Sequence, residues 1–381
     1  MWKDEWFRAS LINNIIFTIS FVLILVVLSF VVAYVLNEYV VGKKLVQLGL
    51  YLPYIVNIVA ISAVWLALFS NNGPVIGLLK KVGIENPPVF IADLHWALPT
   101  IVLICVWQNL GYTVILFLSG MVNIPKDLYE AAAIDGANVL QKIRYVTIPM
   151  LSGTTFFIVI TSIINSFKVF GLINLMTHGG PGTSTTMLVY NIYRTAFQYG
   201  KLEFASAQGI VLLIIIFIIT WIQLEFKRKM KRLDREDALM NNNSRTGKII
   251  GTICIWIVVI LCIVPFIWMV SASFKREADI FATPFRLIPN YLNFDNFKEV
   301  LFGKYNYLLM ILNSVKVTAF SVILAITTSI LAGYGFAKLK FPGRDKIFLL
   351  YLATMMIPPQ LLMVPKFLMF KEMGIYNTHW H

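Results

Sequence analysis

The sequence predicts an all-α fold: a polytopic membrane bundle of about eight transmembrane helices. Three observations carry that prediction. Of 381 residues, 58% are hydrophobic and 13% are charged, with a mean hydropathy of +0.76, whereas a soluble domain has about 25% charged residues. Apolar runs recur near 11–36, 48–69, 97–120, 150–172, 205–226, 249–271, 312–335 and 347–369, each about long enough to cross a hydrocarbon core as a helix. Finally, Lys and Arg gather in alternate connecting segments.

The run at 11–36 is too long for a signal peptide and has no small-residue cleavage site after it, so it reads as a retained span. Those at 97–120 and 150–172 carry WQNLGYT and TSIINSFKVF, which place Asn109, Tyr112, Ser162, Asn165, Ser166 and Lys168 in or near the outer part of two spans. Polar groups at that depth must pair with another helix or line a hydrated cavity. With the aromatic faces of Trp107, Phe167 and Phe170 they suit a saccharide pathway, and equally helix-helix packing. After 205–226 comes KRKMKRLDR at 227–235, a cluster that fixes topology and meets anionic lipid. The last run, 347–369, holds MMIPPQLLMVP, read as a kinked helix end or an outer gate.

The net charge of +13 does not point to nucleic acid, because the basic residues sort by topology and no recognition module accompanies them. With residues 130–149 inside, the segments 37–47, 121–149, 227–248 and 336–346 hold 17 Lys and Arg in 73 residues, against 12 in 121 outside. That bias sets the orientation. Cys105, Cys254 and Cys262 lie in apolar runs and read as small core residues; His95, His178, His379 and His381 fall in loops or at the terminus, and no metal site is expected.

The most specific stretch is EAAAIDGANVLQKIRYVTIP at 130–149. Alanine favours a helix through Ile134, and Gly136 accepts a left-handed turn. A second amphipathic piece is expected to run from there to Pro149. Glu130 sits near a helix start, where a carboxylate is favoured, and Asp135 can bond local backbone donors. Small Ala131, Ala132 and Ala137 let such a knob enter a groove closely. The stretch resembles the EAA loop of the membrane subunits of binding-protein-dependent ABC importers, on Glu130, Ala131, Ala132, Asp135, Gly136, Ala137, Val146, Ile148 and Pro149. Ile143 stands where an aromatic is usual. Further resemblance to carbohydrate-type permeases lies in Gly179, Gly180, Pro181, Tyr193, Phe197, Ala205 and Ala207, in SASFKREADIFATPFRLIPN at 271–290, and in YGFAKLKFPGRD at 334–345.

The resemblance implies an ABC importer type I permease-like fold in the cell (inner or plasma) membrane. It implies docking of cytoplasmic ABC ATPase subunits at 130–149, an extracytoplasmic solute-binding protein, and a second permease subunit. Membrane lipids are the remaining partner. The chain lacks GxxxxGK[ST], so it is expected to bind no cofactor, with ATP held by the partner subunit, and to be no enzyme itself.

An offset of 300 residues places Asn13 on Asn313, Thr18 on Thr318, Val22 on Val322, Ser29 on Ser329 and Tyr34 on Tyr334. This reads as a parallel repeat: a first permease unit at 1–226, a basic and polar linker at 227–248 and a second unit at 249–381. On that reading the first unit lacks its opening helix and the second its last three, as in a fusion of parts of two subunits. Two rival functions stay open: an ion-coupled secondary transporter, which would want carboxylates inside spans that carry none centrally, and a non-functional fragment of a permease pair.

Overall fold

A computed structural model describes residues 4–40, 42–230, 245–276, 279, 288–289, 291–302, 307–355 and 362–374. Part of the linker (231–244), the middle of the proline-rich run (356–361) and His379 and His381 lie outside the described residues. The chain divides into two compact units, Met1–Trp268 and Met269–His381. Among the described residues all regular structure is helical.

The first unit is built on α1 (Glu5–Glu38) and α5 (Ala97–Val122). Both are apolar almost all round, so hydrophobicity does not decide which face is buried; in lipid, small and polar residues do. On α1 the buried stripe follows helical spacing of three and four: Phe7, Ser10, Asn14, Phe17, Phe21, Leu25, Ser29, Val32 and Leu36. Its polar members are satisfied. Asn14 donates to the Ser166 carbonyl (3.3 Å) and accepts from the Leu188 N–H (2.8 Å), while Thr18 Oγ1 lies 2.7 Å from Ser166 Oγ. One residue earlier, Asn13 Nδ2 donates to the carbonyls of Thr183 and Thr186. The pair Asn13–Asn14 therefore staples α1 to α9 (Ser152–Phe167) and to the segment leading into α10 (Leu188–Tyr193). Asn14→Leu is expected to remove about 1–2 kcal/mol by leaving a buried N–H and carbonyl unpaired. A clear fall in Tm of the detergent-solubilised protein checks this, and an unchanged Tm would show the staple to be idle.

One expected span is not a straight helix, and another is set at an angle to the knob that precedes it. The run at 48–69 becomes α2 (Lys43–Ile55) and α3 (Ile58–Leu68), bent by 96° at the break. The run at 150–172 becomes α9, preceded by a helical stretch at 139–150 from which it bends by 69°. Four described helices are by themselves long and apolar enough to cross a membrane, and up to six spans are counted if each bent pair is one. The remaining two of the expected eight are α11 (Leu202–Met230), whose described apolar part is Phe204–Ile219, and the region of 347–369, which is interrupted by undescribed residues.

Helix α12 (Arg245–Ser273) follows the expected join, yet most of it belongs to the first compact unit, which runs to Trp268. Ile255, Val259 and Cys262 enter the core with Val32, Leu36, Val46, Leu50, Leu110 and Phe117. Glycines permit the approach: a Cβ on Gly49 would meet Val259 Cγ1 at 2.7 Å, and one on Gly251 would meet Tyr39 Cβ at 2.8 Å. Thr252 Oγ1 donates to the Tyr39 carbonyl at 3.0 Å. Cys105 and Cys262 are buried as expected, but Cys254 is exposed.

The second unit contains α13 (Asp295–Phe302), α14 (Tyr307–Lys338), α15 (Arg344–Met355) and α16 (Met363–Glu372). One helix end keeps the sequence offset of 300: α1 and α14 stop at Glu38 and Lys338. No described side chain of α14 is buried.

Candidate functional site

The stretch 127–150 folds as a knob. Helix α6 (Asp127–Ile134) has Asp127 and Glu130 in its first turn, where carboxylates meet the positive end of the helix dipole. Asp135 ends it, and Gly136 turns the chain with φ +74°. The Gly136 N–H donates to the Ala133 carbonyl at 3.0 Å. Helix α7 (Val139–Lys142) then starts on a reciprocal cap: Asn138 Oδ1 accepts from the Gln141 N–H (2.9 Å), and Gln141 Oε1 from the Asn138 N–H (2.7 Å). Local capping thus falls to Asn138, three residues beyond the Asp135 to which the sequence reading gave it. The N-x-x-Q pattern carried that signal.

The second helical piece does not stop at Pro149. A turn at Ile143–Thr147 is widened so that the Ile148 N–H reaches the Ile143 carbonyl, α8 (Ile148–Met150) follows with proline in its first turn, and Leu151 ends the run. Proline is tolerated there because the first N–H groups of a helix have no partner within it. The knob's two arms are tied at the base, where Tyr129 OH lies 3.0 Å from Thr147 Oγ1. Burial pushes the Tyr129 phenol above its ordinary pKa, the Thr147 hydrogen bond opposes that, and the negative charge of Glu38 adds to it. Beneath them, a Cβ on Gly120 would meet Leu151 Cδ2 at 2.7 Å, so α5 and the start of α9 are in close contact.

The tip is open. Glu130, Asp135, Gly136 and Pro149 are exposed, and Ala131, Ala132 and Ala137 are half-buried. Two large apolar side chains flank the glycine turn, Ile134 at 83% and Leu140 at 76% exposure. The sequence reading did not single them out, because each looks like an ordinary helical apolar residue until its direction is known.

The pathway residues separate into two groups. Asn109 and Asn165 line one cavity of about 120 Å³ together with Gln108, Phe170 and the first residue of α3, Ile58. Tyr112, one turn along α5 from Asn109, stacks on Tyr54 of α2 with centroids 4.6 Å apart, and Tyr54 in turn meets Tyr51 at 5.5 Å. The bend between α2 and α3 lies beside this region. Its freed backbone is partly capped by Asn57, whose Oδ1 accepts from the Val59 N–H at 2.8 Å. Broken helices with capped ends inside the bilayer are tolerated where they line a cavity.

Ser162 and Ser166 lie elsewhere. Both are buried on the α9 face that includes Ile158, and Ser166 Oγ donates to the Ile163 carbonyl (2.7 Å) besides meeting Thr18. Ser166 joins helices and does not line the cavity. Trp107 and Phe167 also turn away from it, Trp107 into an aromatic stack with Trp65 and Phe266. Gln108 and Phe21, which line the cavity, were not read as pathway residues, since a glutamine or aromatic inside an apolar run gives no sign of the cavity it faces.

The family model for the binding-protein-dependent transport system inner membrane component matches residues 12–232. The sn-glycerol-3-phosphate transport system permease protein UgpA of Yersinia pestis is 31% identical over 234 residues, 61% of this chain and 79% of that protein. The lactose transport system permease protein LacF of Rhizobium radiobacter is 30% identical over 240 residues, with the same coverage of 61% and 79%. Among solved structures, a bacterial ABC transporter involved in the import of the acidic polysaccharide alginate matches with a TM-score of 0.56 at 24% identity, over 60% of this chain and 81% of that one.

Proposed function

Since the chain belongs to the family of binding-protein-dependent transport system inner membrane components, and so is the permease of an ABC importer in the inner membrane, we propose a specific division of labour within it. The knob at 127–150 receives a cytoplasmic ATPase subunit, with Gly136 at its tip and Glu130, Ala131, Ala132, Asp135, Ala137 and Pro149 shaping the surface. Sugars or related polyols, delivered by an extracytoplasmic binding protein, pass along Asn109, Tyr112 and Asn165, while Ser162 and Ser166 hold the helices that frame that path. Hydrolysis of ATP takes place on the separate subunit.

The observation that carries the coupling role is the exposure of Ile134 and Leu140 on either side of a glycine turn. Two large apolar side chains held out by a rigid, capped turn are what a groove on a partner protein can bury, and hot-spot contacts are of this kind. The tie between Tyr129 and Thr147 would pass a push on the knob to α9 and hence to Asn165. An ion-coupled mechanism gains no support from the cavity, whose lining among the described residues contains no carboxylate.

The test is ATP-dependent uptake into membrane vesicles containing the chain with its ATPase and binding protein. Ile134→Asp together with Leu140→Asp is expected to abolish copurification of the ATPase and lower uptake at least about tenfold, as loss of interface hot spots does. Uptake that persisted without ATP would overturn the importer reading of this chain. A second measurement fixes sidedness. Cysteines placed at Asn138 and Lys201, both exposed, should differ: an impermeant thiol reagent added outside intact cells labels position 201 and spares position 138. Labelling of position 138 would exclude a cytoplasmic partner for the knob.

A further inference from the structure

We infer that the cavity beside the α2–α3 bend selects an uncharged, hydroxyl-bearing ligand, a neutral sugar or polyol, over a phosphorylated or carboxylated one. The inference rests on the importer reading above and concerns the substrate class of the same site. The relatives leave that class open: one is named for a phosphate ester, one for lactose, and a solved neighbour imports an acidic polysaccharide. The chemistry of the lining separates them.

Among the described residues, apart from the Cys105 thiol, the polar side chains around the cavity are three carboxamides, Gln108, Asn109 and Asn165, and no charged side chain lines it. A carboxamide donates and accepts in equal measure, as a hydroxyl does, so each can exchange hydrogen bonds with a sugar in either direction. Phosphate and carboxylate groups only accept when ionised. Against this wall they can use only the amide N–H groups, while the three amide oxygens face them without a donor. Asn109 is further biased toward acceptance, because its Nδ2 already donates to the Cys105 carbonyl at 2.8 Å. The carboxamides of Gln108 and Asn165 have no hydrogen-bond partner among the described residues.

Among the described residues no cation that could offset an anion lines the cavity. Lys168 follows Asn165 by three residues, but it does not line the cavity and is already engaged in an interaction of its own. An anion stripped of water here would lack both a counter-charge and a full set of donors, the costly situation for any buried charge. Phe170 supplies the complementary apolar surface: its ring lines the cavity and is held edge-on against Tyr193, with centroids 5.0 Å apart. The rings of Phe21 and Phe170 with three two-way amides form a wall suited to a ring with hydroxyl groups on its rim and C–H bonds on its faces.

The experiment uses the whole transporter in vesicles with ATP inside and five radiolabelled probes: glycerol, lactose and maltose as neutral compounds, sn-glycerol 3-phosphate and digalacturonate as anions. ATP-dependent uptake is expected for at least one neutral probe and for neither anion. Asn165→Leu, at an exposed position where folding is not at stake, should reduce the neutral uptake about tenfold, the worth of one or two hydrogen bonds, with ATPase copurification unchanged. Gln108→Leu should do the same. Uptake of an anion at a rate comparable to the neutral probes would overturn the inference and leave the importer reading standing, and so would neutral uptake indifferent to both substitutions. Failure of all five probes to enter in an ATP-dependent manner would sink both.

Discussion

Gly111→Ala will leave little correctly assembled first unit. A Cβ at position 111 would stand 2.0 Å from the Leu50 carbonyl oxygen and 2.3 Å from its carbon, both backbone atoms of α2, so no side-chain rotation can relieve the clash. The two helices must part by more than an ångström. Parting them opens the core formed there by Val46, Leu50, Leu110 and Val114, and overpacking of this kind costs about 3 kcal/mol or more when the obstacle is backbone. Size-exclusion of detergent extracts should show a large loss of monodisperse protein and a lowered Tm in the remainder. Gly153→Ala is the control, since a Cβ there meets nothing within 4 Å. Equal behaviour of the two variants would mean that α2 lies farther from α5 than described.

Gly136→Val is the complementary case, harmful to transport and harmless to assembly. A Cβ at 136 would also meet nothing within 4 Å, but the residue holds φ at +74°, a conformation that costs a β-branched residue about 1–3 kcal/mol. The strain relaxes by swinging α7 away from α6, which separates Ile134 from Leu140 and spoils the knob. Binding-protein-stimulated ATP hydrolysis and uptake should fall about tenfold or more, while membrane abundance and Tm stay near wild type. Gly136→Asn should retain most activity because asparagine tolerates left-handed backbone. Normal coupling in the valine variant would remove the turn from the mechanism.

Much of this was legible before any coordinates. The knob followed from a helix former, a glycine and a proline at set spacing, and the long described helices fall on the apolar runs, because span length and composition are enforced by the bilayer itself. Direction is another matter. Hydropathy is the same for a straight helix and for one bent by 96°, so the break after Ile55 left no trace in an apolar pattern. The pathway residues stayed unsorted between lining and packing for a related reason. Ser166 and Asn165 are adjacent in sequence and both polar, but on a helix adjacent residues point about 100° apart, and only the position of α1 reveals that Ser166 is used up by Thr18 and Asn14. Gln108 was passed over although it shares a cavity with Asn109. Nor could sequence alone show that α12 serves the unit preceding it.

That last feature bears on how the chain is made. Helices α1, α2 and α5 leave the ribosome with part of their shared core unfilled, because the residues that fill it, Ile255, Val259 and Cys262, are encoded well over a hundred positions after α5 ends. At about 5–20 residues per second this is a wait on the order of ten seconds, during which Gly49 and the end of α1 present a groove to whatever helix lies nearby. The first unit is thus completed late and from downstream, so its yield depends on how promptly α12 is inserted and on how few competing helices reach the groove before it.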